Sequence, residues 1–274
     1  MRASSVVSSP ASGPLRWVVL AYVGALVALP LAALAHQGLK GGTWALWEAV
    51  SSPVATSALV LSLWTALVIA VGNALMGTAT AWVLVRFRFP GRSLLSAVID
   101  LPFAIPTLVA GIMLVILFGP KSMMGGWFLE RGVKIAFATP SILLCLGFIT
   151  LPFVVRAVEP VLMVLDPAEE EAAETLGASR WTTFFRVSLP PLLPAIGTGA
   201  IQCFARALAE FGSIVMVSGN IPRRTLTASV YVFGEIESGR PEVAAAVSVV
   251  LLAVSVGLMF LTHRLERLAG VCRE

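Results

Sequence analysis

Charge is what this chain has least of. Only 12% of its 274 residues are Asp, Glu, Lys or Arg, against 58% hydrophobic side chains. Mean hydropathy is +0.91. Soluble domains carry about a quarter charged residues, so the apolar surplus exceeds what one core of this size can bury. That excludes a soluble enzyme, a nucleic-acid binder and a disordered chain. The net charge of +4 is no nucleic-acid footprint, because the basic residues are scattered over loops. Lysine occurs only at Lys40, Lys121 and Lys134, none of them in a G-x-x-x-x-G-K-[ST] phosphate-binding loop. The chain is therefore not expected to hydrolyse ATP. Histidine is confined to His36 and His263, near opposite ends, and Cys145, Cys203 and Cys272 show neither disulfide nor metal-ligand spacing. No cofactor or metal is expected on this chain.

What the sequence does have is long apolar runs, the mark of an all-α integral membrane protein in contact with lipid. A helix rises about 1.5 Å per residue, so about 20 apolar residues cross a hydrocarbon core of about 30 Å. Charge-free runs cover Trp17–Ala35, Ala49–Val85, Leu101–Pro120, Ile135–Val155, Val187–Ala205 and Val243–Thr262. Pro53 marks the start of the second span proper. The fifth is expected to continue past Arg206 and Glu210 to about Ser218, because Pro190, Pro191 and Pro194 crowd its start. Six spans thus lie in residues 17–262, between tails at 1–16 and 263–274. With both termini in the cytoplasm, eleven Lys and Arg fall in cytoplasmic segments and seven outside, with Arg206 left in the membrane. Ala33-Leu34-Ala35 looks like a signal-peptidase site. The preceding apolar run of 19 residues exceeds a cleavable core of about 7–15, which favours an uncleaved signal anchor.

One polar segment, about residues 156–190, differs from the other loops. Asp166 suits a helix N-cap, Pro167 the first helical position, and Glu169 the third position of a capping box. Glu169, Glu170 and Glu171 sit where the helix dipole favours negative charge. Gly177 fits the left-handed residue that ends a helix. Ser179 can cap a second short helix carrying Arg180, Trp181, Phe184, Phe185 and Arg186, ahead of a break at Leu189-Pro190-Pro191. The pattern predicts a helix–turn–helix finger. A Glu-rich run can also be a merely solvated loop, but such a loop has no need of three aromatics. These either pack back on the bundle or dock in a partner's groove.

Glu171-Ala172-Ala173, three residues, Gly177, nine residues, Val187, one residue and Leu189-Pro190 resemble the E-A-A loop of ABC-importer permeases. Only Val187, in place of Ile, departs from that pattern. The likeness extends over about residues 54–262. The stretches Arg86–Arg92, Asp100–Pro106, Leu151–Arg156, Glu210-Phe211-Gly212 and Ser218–Pro222 resemble the sulfate/thiosulfate and molybdate branch, and Ser218-Gly219-Asn220-Ile221 with Arg224-Thr225 most resembles its T-type subunit. The resemblance implies a type I importer permease fold in a bacterial inner membrane. It also implies two ATPase subunits carrying ATP and Mg, a homologous second permease and a periplasmic or extracytoplasmic binding protein. The finger would be the coupling helix, with Glu171, Ala172, Ala173, Gly177, Leu189 and Pro190 as its motif. The substrate would be sulfate or thiosulfate, with molybdate or tungstate as the alternative.

Arg206 is expected near the middle of the fifth span with Glu210 one turn on. Each alone at the bilayer centre would cost about 2.5–3.5 kcal/mol on insertion scales, but at i and i+4 they can neutralise each other. Two readings stand: a structural pair facing the bundle, or an arginine along the path of a dianion. Ala209 occupies a position where the family carries Gly. Asp100 is expected to cap a helix or to pair with Arg88 or Arg92, and Asn73 and Gln202 to join helices. Trp44 and Trp47 read as interfacial anchors. A self-contained ion-driven carrier would use the midplane charges and the proline-broken third span, but the six spans show no duplication and the finger would have no role. An intramembrane enzyme would need a nucleophile–base pair or metal ligands at membrane depth, and the sequence offers neither.

Overall fold

The computed structural model describes residues 12–268. Arg2, Arg273 and Cys272 of the expected tails lie outside the described residues. The elements are, in order, α1 (Ser12–Gly38), α2 (Gly42–Ser51), α3 (Pro53–Arg86), α4 (Arg92–Ala104), α5 (Thr107–Phe118), α6 (Met123–Glu130) and α7 (Thr139–Val164). There follow α8 (Pro167–Thr175), α9 (Arg180–Thr183), a π-turn (Phe184–Ser188), α10 (Leu189–Leu208), α11 (Gly212–Val217), α12 (Ala228–Glu237) and α13 (Pro241–Leu268). Among the described residues there is no strand.

Five helical stretches are long and apolar enough to cross a membrane: Leu15–Gly38, Pro53–Arg86, Thr139–Val164, Arg180–Leu208 and Pro241–Leu258. The sixth is not the straight span expected at Leu101–Pro120. It consists of α4 and α5, bent by 113° between Ala104 and Thr107. Pro102 already lies inside α4, Ile105 adopts an extended backbone at φ −83° and ψ 127°, and Pro106 opens α5. A residue before proline avoids the helical region, and proline has no N–H to offer the preceding turn. The fifth span also differs. It does not run on to Ser218 but stops at Leu208, and α11 restarts at Gly212. Small residues clamp the two broken segments together: a Cβ at Gly111 would lie 2.7 Å from the Ser213 carbonyl oxygen, and one at Gly212 would lie 2.4 Å from Thr107 Oγ1.

At the centre, α3, α7 and α10 pack on one another. Leu84, Val154, Val155, Val158, Leu162 and Leu192 fill the end nearer the finger, and Ile142, Leu146, Ile149 and Ile214 the other end. In lipid the hydrophobic effect no longer drives helix against helix, so close backbone approach does. Val154 is held from two sides: a Cβ on Gly77 would come within 2.8 Å of its Cβ, and one on Gly199 within 2.9 Å of its Cα. One polar node ties the same three helices. Asn73 Nδ2 donates to the Gly147 carbonyl at 3.1 Å and to Thr150 Oγ1 at 2.9 Å, with Cys203 Sγ at 3.6 Å. Asn73→Leu is expected to lower stability by about 1 kcal/mol, since interhelical hydrogen bonds in folded membrane proteins average about 0.6 kcal/mol each and Asn73 makes two of them. Thermal unfolding in mild detergent would measure the loss.

Gln202, expected to join helices like Asn73, is instead exposed on α10. Its neighbour Cys203 turns inward in its place. At the periphery α1 runs unbroken through Ala33-Leu34-Ala35 and packs on α13, where a Cβ at Gly38 would touch Val249 at 2.9 Å. Trp44 and Trp47 are both exposed on α2. Ser52 caps α3, its side chain accepting from Ala55 N at 3.3 Å, and Pro53 begins that helix as the sequence suggests. With 34 residues, α3 rises about 51 Å. It outreaches a hydrocarbon core of about 30 Å and carries Arg86 out to the finger.

Candidate functional site

The finger starts later than the sequence suggests. Helix α7 does not stop at Val155 but continues to Val164, so Arg156 belongs to a helix and not to a loop. Its guanidinium, rather than Arg88 or Arg92, is the partner of Asp100. Arg156 Nε donates to Asp100 Oδ1 at 2.8 Å, and Nη2 to the other carboxylate oxygen and to Ser96 Oγ. Glu159 completes the cluster as an acceptor from Nη1. The bidentate fork pins α4 to α7.

Beyond Leu165, Asp166 caps α8 with its carboxylate accepting from Ala168 N at 3.0 Å, and Pro167 takes the first helical position. The reciprocal capping box does not form: the Asp166 carboxylate takes Ala168 N rather than Glu169 N, which donates to the Asp166 carbonyl, and no hydrogen bond joins the Glu169 side chain to Asp166 N among the described residues. The helix ends on Gly177 at φ +89°. Gly177 N donates to Glu174 O at 3.0 Å and Ala178 N to Ala173 O at 3.1 Å, the paired bonds of a Schellman cap. Ser179 Oγ then accepts from Thr182 N at 3.2 Å to start α9. The expected break at Leu189-Pro190-Pro191 is absent. The chain widens into the π-turn, where Leu189 N donates to Phe184 O, and passes straight into α10. The wider turn lets the helix axis absorb two prolines that lack N–H donors.

Of the three aromatics, one packs back on the bundle and two stay exposed. Phe184 packs back onto α3, edge to face with Trp82 at 5.3 Å. Phe185 stacks on Trp181 at 6.0 Å, and these two stay 57% and 73% exposed. Leu176, beside the Gly177 turn, is 89% exposed. Of the four glutamates of α8, Glu169, Glu171 and Glu174 are exposed and only Glu170 turns inward. The motif residues Ala172 and Pro190 are exposed, and Ala173 and Leu189 are half-buried.

Arg206 and Glu210 form the expected pair, Nη1 to Oε2 at 2.6 Å. Their setting differs, since Arg206 is in the last turn of α10 and Glu210 sits in the interruption before α11. Glu210 is buried and satisfied: its other oxygen accepts from Ser213 N at 3.0 Å and Ser213 Oγ at 2.8 Å, while Ser229 Oγ donates to its carbonyl. It bridges the broken span. Arg206 keeps 31% of its side chain exposed. Gln202 and Ala209, at i−4 and i+3 on the same side, are exposed as well. The methyl of Ala209 is therefore not buried in the bundle.

A bundle of long apolar helices, with one further span broken at Ile105-Pro106 and a capped finger between α7 and α10, defines a polytopic membrane protein. Residues 73–270 match the family described as "Binding-protein-dependent transport system inner membrane component", and the chain belongs to that family. It is a multi-pass protein of the cell's inner membrane. Among curated relatives, a sulfate transport system permease protein, CysT, of Escherichia coli is 40% identical over 252 residues, covering 92% of this chain and 91% of that protein. A probable sulfate transport system permease protein of Chlorokybus atmophyticus is 41% identical over 243 residues, covering 89% and 85%. Among solved structures, a chain of a bacterial alginate ABC transporter, in complex with alginate pentasaccharide-bound periplasmic protein, matches with a TM-score of 0.74 at 16% identity, covering 92% of this chain and 93% of that one.

Proposed function

We propose that this chain is a membrane-spanning subunit of a sulfate/thiosulfate importer. It pairs with a homologous second permease, sits on two ATPase subunits that hold ATP and Mg, and receives its cargo from an extracytoplasmic binding protein. Both termini and the finger face the cytoplasm, in keeping with the bias of Lys and Arg. The observation that carries this reading is the finger itself. Its two short helices and the π-turn leave Leu176, Trp181 and Phe185 exposed, while Phe184 of the π-turn packs against Trp82 of α3. A soluble surface rarely gathers such apolar groups without a partner to cover them. Sulfate as cargo rests on the named relatives.

Closure of the ATPase pair on ATP moves the finger, and the finger tilts the spans between inward-open and outward-open arrangements. Arg206 lies along the path, where its charge offsets the hydration a dianion loses. The chain catalyses no reaction. A ligand shifts such an equilibrium only by its differential affinity for the two states, so substrate choice falls mainly to the binding protein.

The aromatic split supplies a test. Trp181→Ala and Phe185→Ala are expected to leave the chain's thermal stability unchanged and to weaken ATPase association by about tenfold or more, as interface aromatics do. Phe184→Ala, which empties the contact with Trp82, is expected to lower stability by about 3 kcal/mol. Co-purification yields and melting curves for the three variants separate the two roles. Titration of binding-protein-stimulated ATP hydrolysis with sulfate, thiosulfate and molybdate would name the cargo.

A further inference from the structure

The finger is joined to the spans at one polar node outside the E-A-A motif. Arg86, in the last turn of α3, donates from Nη2 to Glu170 Oε1 at 2.7 Å. Ser188, the last residue of the π-turn, donates from Oγ to the same oxygen at 3.0 Å. Arg86 also lies over the Trp82 ring at 5.6 Å, and Trp82 meets Phe184 of the π-turn. Three elements distant in sequence (α3, α8 and the π-turn) therefore converge on one carboxylate. The side chains of Arg86 and Glu170 are only 15% and 22% exposed, and Arg86 Nε is buried without a partner. An exposed ion pair contributes little. A largely buried one gains little net stability, but it fixes one arrangement because either partner alone is strongly disfavoured.

We propose that Glu170, not the motif residue Glu171, is the strut through which finger movement reaches the membrane helices. Arg86 and Ser188 are its anchors on α3 and the π-turn. The proposal rests on the coupling role assigned to the finger above. Glu171 is exposed and has no ion pair among the described residues, so it belongs to the outer, docking side. Glu170 belongs to the inner side. Without Glu170 the ATPase still docks on Leu176, Trp181 and Phe185, but the helix it grips pivots instead of carrying α3 and α10 with it. Hydrolysis then continues while transport fails.

The test uses the complete importer in proteoliposomes with loaded binding protein, reading uptake, ATP hydrolysis and subunit ratio on the same samples. Glu170→Gln is expected to keep the ATPase in the purified complex and to reduce uptake per ATP by about five- to tenfold, the scale of coupling within one buried network. The charge-swapped pair, Glu170→Arg with Arg86→Glu, is expected to recover most of that ratio, whereas Glu170→Arg alone does not. A merely structural role would not move uptake per ATP in an assembled complex. Glu170→Gln with unchanged uptake per ATP would overturn the strut, as would parallel loss of hydrolysis and of bound ATPase. Wild-type uptake that needs no ATP would remove the coupling role itself and the strut with it.

Discussion

Gly177→Asp is expected to abolish ATP-driven uptake while leaving the chain folded in the membrane. Gly177 holds φ +89° at the end of α8, and a Cβ there would meet nothing within 4 Å. Space is therefore no obstacle. Aspartate is among the residues that best tolerate the left-handed region, and the backbone strain is about 1–2 kcal/mol for an ordinary residue. What changes most is the surface, because a carboxylate appears beside Leu176, at the tip that is proposed to enter the ATPase. Burying an unpaired charge in such a contact costs several kcal/mol, enough to reduce association by a hundredfold or more, at about 1.4 kcal/mol per tenfold. Gly177→Ala adds the strain without the charge and should retain most activity. Uptake assays on the two variants, with the melting temperature of each, separate docking from folding.

Gly199→Val is expected to have the opposite profile, loss of the folded chain. Gly199 is buried in α10, and its missing Cβ would stand 2.9 Å from Val154 Cα and 3.0 Å from Ala157 Cβ. The nearest of these is backbone, so no rotamer change relieves the clash, and α7 and α10 must separate. Overpacking a core costs about 1–3 kcal/mol. Here the figure stands at the upper end, because Gly77 closes the other side of Val154 and leaves the helix nowhere to move. Size-exclusion profiles and melting curves would show aggregated or strongly destabilised protein. A folded Gly199→Val chain with normal stability would mean that the three-helix centre is looser than described.

The contrast between these two glycines shows how far the sequence could be read. Gly177 was legible because helix ends are written locally: Asp166, Pro167, Gly177 and Ser179 fall at positions with fixed chemical demands, and each takes its expected role. The Arg206–Glu210 pair was legible for a similar reason, since its partners are four residues apart, although the helix itself ends at Leu208. Gly199 carries no local signal, and its meaning appears only when Val154 is beside it. Distance along the chain hid other features equally. Asp100 pairs with Arg156, and Arg86 with Glu170, across 56 and 84 residues. Prolines 102 and 106 announced a disturbance in the third span but not a turn of 113°, because a proline says where a helix loses its bonds and not where the chain goes next. Conversely, Pro190 and Pro191 look like a stop and are not one, since the π-turn before them widens the helix. Hydropathy could not see the interruption at Ala209–Phe211, because a paired Arg206 and Glu210 also suit one continuous helix, nor tell the outward Gln202 from the inward Asn73.

The coupled-importer reading is tested most directly by purifying this chain, gently extracted from its native membrane, and assaying the recovered complex in vesicles. The account predicts that an ATPase and a second six-span permease come with it, and that uptake of sulfate into vesicles requires both ATP and a loaded binding protein. Recovery of the chain alone, transporting in vesicles without ATP, would contradict it and make the interrupted spans the elements of a gradient-driven carrier.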